Sequence, residues 1–377
     1  FNPVLPADPW PLLFPVFSGA PTLSRPSRDN PRSQEKGMKY KLLGDTGVFV
    51  SRLCLGTMTF GGRALPPYDK VGGLDQKEAQ GIVDRALDAG VNFIDTANVY
   101  AAGESETLLG EAIKARRNEV VLATKFHSSM GTGPNRSGQS RFHMMTALED
   151  SLKRLQTDRI DLYQIHNFDP LTPFEEVLRA LDDAVRQGKV RYIGCSNLAA
   201  WQVMKALGVS ALRNLERFVS VQAYYSLAGR DLEHDIIPMV EDQRIGLMAW
   251  SPLAGGFLSG KYDRHTEHGA SRRDKVEFPP IDRNRTFDII DVLRDIAARH
   301  GVSAAQIALG WLLAKPAVTS VIVGARRVDQ LEDNLGALDV VLSQQDVEEL
   351  DRVSDTGPHY PNWLQAGTLK ARTPQSS

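Results

Sequence analysis

The sequence predicts an α/β chain closed into a (β/α)8 TIM barrel behind an N-terminal β-hairpin. Three observations carry this reading. From Tyr40 onward, short apolar runs rich in β-branched residues alternate with helix-period segments, the mark of parallel strands joined by crossover helices. Eight such runs fall within about 300 residues, which suits one closed barrel better than an open sheet. No G-x-G-x-x-G follows an early strand, which argues against a Rossmann dinucleotide domain.

The elements follow in order. KYKLLGDTGVFVS opens the folded part, with Gly-Asp-Thr-Gly as the turn of the hairpin, and RLCLG is the first inner strand. VNFID, VVLATK, IDLYQIH, VRYIGCS, FVSVQA, IGLMAWS and SVIVG are the other seven. Helical patterns cover 76–89, 104–115, 141–155, 174–187, 199–206, 232–241 and 328–335, with two more, 286–300 and 303–313, between the last two strands. Thr172 before Pro173 marks one helix start, and Gly90 and Gly188 mark two stops.

Composition narrows the function classes. With 42% hydrophobic residues, 24% charged and a formal net charge of −2, the chain can bury a substantial core and presents no polybasic surface for nucleic acid. Cys54 and Cys195 sit inside apolar runs, RLCLG and YIGCSN, and read as small buried thiols rather than a bridge; a reducing cytoplasm fits. The first 37 residues are Pro-rich without a sustained period and are expected to be disordered. Their apolar part, PWPLLFPVF, is broken by prolines, and no stretch approaches the roughly 20 apolar residues of a membrane helix. The chain opens on Phe1 rather than Met, which leaves a fragment, a processed form, an over-extended reading frame or an organellar leader open. The expected organisation is an extension at 1–37, a barrel domain at 38–355 and a loosely attached tail at 356–377.

In such a barrel the active site lies at the C-terminal ends of the strands. Asp95 ends the second strand and Tyr100 lies in the loop after it; Lys125 ends the third strand and His166 the fourth. Successive parallel strands lie about 5 Å apart, so these side chains can converge. A lysine ammonium favours the phenolate of a neighbouring tyrosine and is expected to lower its pKa, while Asp95 holds the lysine charged. His166 can hydrogen-bond a carbonyl oxygen or relay a proton to Tyr100. Such a set protonates the alkoxide formed when hydride reaches a carbonyl carbon, or runs the reverse. Singly, each residue has a bland reading: a structural ion pair, a packed tyrosine, a satisfied core histidine. Placed on three consecutive strand ends, they make chance the weaker account.

From Tyr40 to about Ser354 the sequence resembles the aldo-keto reductase superfamily, in the branch with potassium channel β subunits and their bacterial enzyme relatives. The motifs are LGTMTFGG, NFIDTANVYAAGESE, ATK, DLYQIHNFD, IGCSN, VQAYYSL, WSPLAGGFLSGKY and VGARRVDQLEDN. The resemblance implies a catalytic tetrad of Asp95, Tyr100, Lys125 and His166 and a nicotinamide cofactor bound without a Rossmann fold. It also implies that Gly56, Thr57 and Met58 line the nicotinamide side, that Ser196, Asn197 and Gln222 bond the carboxamide, and that Trp250 stacks on the ring. Ser251, Pro252, Leu253, Gly255 and Lys261 would hold the pyrophosphate, and Gly324, Arg326, Gln330 and Asn334 the adenosine end. An arginine fork suits a 2′-phosphate, so Arg326, with Arg327 beside it, tilts the cofactor toward NADP(H). A departure at IHNFD, where Asn167 and Phe168 follow the histidine, touches the substrate rim and leaves the tetrad intact. Residues 127–141 and 262–280 are expected to shape substrate choice, the second as a lid in which Arg272 or Arg273 is a candidate phosphate contact. His265 and His268 have a metal-like spacing, but no acidic or cysteine cluster accompanies them, and a solvated loop is the better reading.

The leading expectation is an NADPH-dependent reductase of aldehydes or ketones, reversible toward small-molecule alcohols, with no metal and no nucleic-acid or membrane partner. Its oligomeric state is open. A cofactor-binding regulator like the channel β subunits is a second reading; those subunits commonly lack a histidine at the position of His166. A Schiff-base aldolase using Lys125 is a third.

Overall fold

The computed structural model describes residues 37–66, 68–264 and 278–372. The extension expected at 1–37 lies outside them except for Gly37, as does most of the 262–280 segment, including His265, His268, Arg272 and Arg273. The eight inner strands are β3 (Leu53–Gly56), β4 (Phe93–Asp95), β5 (Val121–Phe126), β6 (Ile160–Ile165), β7 (Val190–Ser196), β8 (Phe218–Tyr224), β9 (Gly246–Trp250) and β10 (Val318–Val323). They close into a parallel barrel in the order β10-β3-β4-β5-β6-β7-β8-β9. Each run read as an inner strand is one. The runs are nearly continuous in apolar residues because one face of each strand fills the barrel and the other packs on helices.

A hairpin, β1 (Tyr40–Leu42) and β2 (Phe49–Ser51), seals the N-terminal end of the barrel. Lys41 Nζ donates to the backbone oxygens of Pro316 and Val318, at 2.5 and 3.2 Å, where β10 begins. The turn sits so close that a Cβ on Gly44, which adopts a left-handed φ of +60°, would lie 2.3 Å from the Val219 carbonyl oxygen. Leu43 and Val50 join Cys54, Phe93, Ala123, Leu162 and Met248 in one buried cluster inside the barrel. With that end plugged, the C-terminal mouth is left as the place for a site.

The outer layer is α1 (Tyr68–Val71), α2 (Gln76–Asp88), α3 (Glu104–Ile113), α4 (Arg141–Arg154), α5 (Phe174–Arg186), α6 (Ala200–Arg213), α7 (Ile236–Gln243), α8 (Arg283–His300), α9 (Ala304–Ala314), α10 (Val328–Gly336), α11 (Gln344–Val353) and α12 (Asn362–Arg372). Several differ from the reading above, and α1 and α11 were not read as helices at all. The helix expected at 199–206 runs on to Arg213 and stops at Asn214 in the left-handed region (φ +51°); Gly208 costs it only about 1 kcal/mol, less than burial of the neighbouring Leu207 returns. α5 starts where Thr172-Pro173 marks it, with Pro173 at the N-cap position and the Thr172 hydroxyl donating to Asp169 Oδ2 at 2.7 Å rather than capping the helix. Of the segment past Pro358, the described part, 359–372, carries α12, with Asn362 Nδ2 donating to the His234 carbonyl oxygen at 2.8 Å and the His359 and His234 rings 3.5 Å apart. Among the described residues no helix is long and apolar enough to cross a membrane.

Candidate active site at the open mouth of the barrel

The sequence Asp95-Thr-Ala-Asn-Val-Tyr100 turns sharply as it leaves β4. Thr96 N and Asn98 N still bond to the carbonyl oxygens of Ala123 and Lys125 on β5, which carries the chain across the mouth. Ala101 and Ala102 then adopt left-handed angles (φ +49° and +53°) before Gly103 (φ +97°) starts α3. Left-handed non-glycine residues cost roughly 1–2 kcal/mol each and are held where the surroundings over-determine them. Here that turn brings Tyr100 back over the strand ends, and Ser105 fixes it by donating to the Thr57 carbonyl oxygen at 2.7 Å.

Lys125, fully buried, is the hub of the site. Its Nζ donates to Asp95 Oδ2 at 2.5 Å, to the Thr96 carbonyl oxygen at 2.8 Å and to the Tyr100 hydroxyl at 3.3 Å. Burial opposes the ammonium charge, but Asp95 and Tyr100 outweigh it and hold Lys125 above the usual lysine value. Asp95 Oδ1 accepts from Gln164 Nε2 at 3.1 Å and Gln222 Nε2 at 2.9 Å. The His166 ring stands edge-on to Tyr100, centroids 5.9 Å apart. Burial, with Lys125 and His127 adding positive charge, lowers its pKa to about 3, so the imidazole is neutral.

Tyr100 corrects one expectation. Burial raises the phenol pKa, and although Lys125 pulls it down by charge and hydrogen bond, the net direction is upward. The lysine therefore does not make a resting phenolate. A neutral phenol beside an ammonium is a loaded donor, and the charge beside it counts once the proton departs.

The four side chains border a cleft of about 970 Å³. Asp95, Tyr100 and His166 line it, with Lys125 beneath. Among the described residues, those assigned above to the cofactor also line it: Gly56, Thr57 and Met58 at the end of β3, Ser196, Asn197 and Gln222 at β7 and β8, Trp250, Ser251, Pro252, Leu253, Gly255 and Lys261 at and after the end of β9, and Gly324, Arg326, Gln330 and Asn334 after β10. Ser196 Oγ is buried without a hydrogen-bond partner, a polar atom awaiting one. Ser251, Ala254, Gly255 and Gly256 have positive φ (+51°, +49°, +69° and +92°), which winds the backbone after β9 into a tight turn closed on itself, with Ala254 N donating to the Ser251 carbonyl oxygen at 2.8 Å and Gly255 N to Ser251 Oγ at 3.0 Å. These features fit a dinucleotide laid from the tetrad toward β10.

The residues assigned to the carboxamide and the ring also bond among themselves and to the tetrad residues. The Gln222 amide nitrogen is committed to Asp95, and Asn197 ties Trp250 to the tetrad, accepting from Trp250 Nε1 at 3.0 Å and donating to the His166 carbonyl oxygen at 3.0 Å. The Trp250 ring lies parallel to Phe278, centroids 5.6 Å apart. Gln164 was not singled out from the sequence. Its signal was there: a polar residue in an apolar strand, two before His166 and so on the same face. Among the described residues no cluster of three or more His, Cys, Asp or Glu is placed to hold a metal.

Comparisons with known proteins show the family. The model of the aldo/keto reductase family matches residues 52–355. An uncharacterized oxidoreductase YrpG of Bacillus subtilis is 40% identical over 84% of this chain and 96% of its own. A probable voltage-gated potassium channel subunit beta of rice, Oryza sativa subsp. japonica, is 36% identical over 85% of this chain and 98% of its own. Versiconal hemiacetal acetate reductase of Aspergillus parasiticus is 32% identical over 88% of this chain and 99% of its own.

Proposed function

The chain belongs to the aldo/keto reductase family of oxidoreductases, and from that premise we propose that it is an NADPH-dependent reductase of aldehydes or ketones, reversible toward the alcohol. The observation that carries this reading is the Lys125 hub: one buried ammonium within hydrogen-bond reach of both Asp95 and the Tyr100 hydroxyl, at the floor of a cleft large enough for a dinucleotide. When bound, the nicotinamide supplies hydride. Tyr100 holds a proton on its Oη and delivers it to the carbonyl oxygen as negative charge develops there. Lys125 stabilises the phenolate left behind, and Asp95, clamped by Gln164 and Gln222, keeps the ammonium aimed. His166, neutral and beside Tyr100, orients the carbonyl oxygen by hydrogen bond. Arg326 donates to the Lys70 carbonyl oxygen, an uncharged acceptor, and its guanidinium is the group suited to a 2′-phosphate.

The same contacts weigh against the aldolase reading. A Schiff-base lysine must shed its proton, and Lys125 is fully buried, paired with Asp95 and shifted toward the charged form. Purified protein mixed with NADPH and a panel of aryl and alkyl aldehydes should consume NADPH with matching alcohol formation. Dinucleotide binding without turnover on the whole panel would instead support a regulatory, cofactor-sensing role. Borohydride trapping of a carbonyl on Lys125 would overturn the reductase mechanism.

A further inference from the structure

Two consecutive guanidinium groups at the adenosine end of the cleft are in different states. Arg326 is engaged by uncharged acceptors: its backbone N–H donates to Gln330 Oε1 at 2.9 Å and its Nη2 to the Lys70 carbonyl oxygen at 3.1 Å. Arg327 instead grips Asp329 through both arms of its fork, Nε to Oδ1 and Nη2 to Oδ2, each at 2.8 Å. Asp329 lies in the first turn of α10 and lines the same cleft. Its pairing with Arg327 holds the carboxyl below the usual range, so it is charged at neutral pH. A planar carboxylate and a phosphate take the same two-pronged seat on a guanidinium. The carboxylate therefore occupies the seat on Arg327 that a phosphate would use.

We propose that Asp329 is a cofactor-selectivity residue: it keeps Arg327 from a 2′-phosphate and so limits the preference for NADPH over NADH. The proposal rests on the dinucleotide reading above. To use both arginines, NADPH must displace Asp329 from Arg327 and bring a phosphate beside a carboxylate; NADH meets neither obstacle. The Arg327 and Asp329 side chains are 63% and 67% exposed, so the bridge is weak and the competition moderate rather than prohibitive. A purely structural role is the rival account, since an acidic residue in the first turn of a helix favours the helix dipole.

The test is equilibrium binding of NADPH and NADH to the full chain, by fluorescence quenching or calorimetry. The proteins are wild type, Asp329→Asn, Arg327→Gln and the double variant. Asp329→Asn should bind NADPH about fivefold more tightly, with NADH changed by less than about twofold, and the gain should shrink at high salt. Arg327→Gln alone should weaken NADPH, because it leaves the Asp329 carboxylate unpaired beside the phosphate, and the double variant should bind NADPH close to wild type, without the gain. An unchanged NADPH-to-NADH ratio in Asp329→Asn, with or without a lower melting temperature, would overturn the proposal and leave Asp329 a helix-start residue. Wild type that binds neither dinucleotide is a separate result, and it would take the cofactor reading and this proposal down together.

Discussion

At the scale of single residues, the site is governed by which groups keep their protons. Tyr100 and Lys125 both hold theirs, the first because burial outweighs the pull of the lysine, the second because Asp95 outweighs burial. Replacing Tyr100 with Phe should lower kcat by about a hundredfold or more, the usual contribution of a positioned general acid, while the NADPH dissociation constant moves little. A near-normal rate in stopped or steady-state assays would remove Tyr100 from the proton path. His166 makes a second prediction, about stability. Its pKa falls from 6.5 to about 3 on folding, so between those values the unfolded chain binds a proton that the folded chain does not. Stability is therefore whole above about pH 6.5 and falls as pH drops, by at most about 1.4 kcal/mol per pH unit from this group. His166→Gln should flatten the melting-temperature profile across that window relative to wild type; parallel profiles would show that the imidazole is not held neutral. That Asp95, Lys125, His166 and the nearby Tyr100 would meet was legible because they stand at or just past the ends of consecutive strands. The balance between burial and charge at Tyr100 was not, because burial of a hydroxyl depends on the depth of a cleft that no residue pattern encodes.

At the scale of elements, the strand carrying Lys125 and the helix that follows Tyr100 are joined by one buried carboxylate. Glu106, fully buried on α3, accepts from Thr124 Oγ1 at 2.5 Å on β5 and from Arg154 Nε at 2.7 Å on α4. Thr124 is the neighbour of Lys125, so this three-way tie keeps the strained Ala101-Ala102 turn in register with the ammonium. Glu106→Gln keeps the shape and removes the charge. It should cost about 2–3 kcal/mol in denaturant unfolding, because two hydrogen bonds to a buried charged group weaken together. It should also lower kcat more than it changes NADPH affinity, as loosening β5 against α3 would lengthen the 3.3 Å contact of Tyr100 with Lys125. A stability loss with unchanged kcat would confine Glu106 to packing. Sequence periodicity was enough to place every inner strand, because a strand buried on both faces is an unbroken apolar run. The tie itself was hidden, as GESE reads like a solvated helix start. The short helix α1 and the polar-rich α11 were missed for a related reason: four residues give no periodic signal, and most of α11 is charged or amide residues; α12 fell in the segment read as a tail.

At the scale of the whole molecule, the hairpin plug and the barrel make a closed base with one open end, so a ligand of the cleft binds a form that exists only when all eight strands are closed. The wall of that cleft comes from β3 and its loop, the ends of β7 and β8, the segment after β9 and the segment after β10. Residues from both ends of the chain thus meet across the β3–β10 seam that closes the barrel. Binding must then stabilise the fold as a whole rather than one loop. At a ligand concentration about a hundred times its dissociation constant the linkage is worth about 2.7 kcal/mol, or roughly 4 °C in melting temperature for a domain of this size. Saturating NADP⁺ should produce a shift of that order with a single sharpened transition. Arg326→Ala should cut the NADP⁺ shift and leave the NAD⁺ shift nearly intact, because an unphosphorylated ribose has nothing to offer that guanidinium. Equal losses for the two dinucleotides would mean that Arg326 supports the loop after β10 rather than the 2′-phosphate. Two separate transitions, with only one moved by cofactor, would show that the seam is not closed cooperatively.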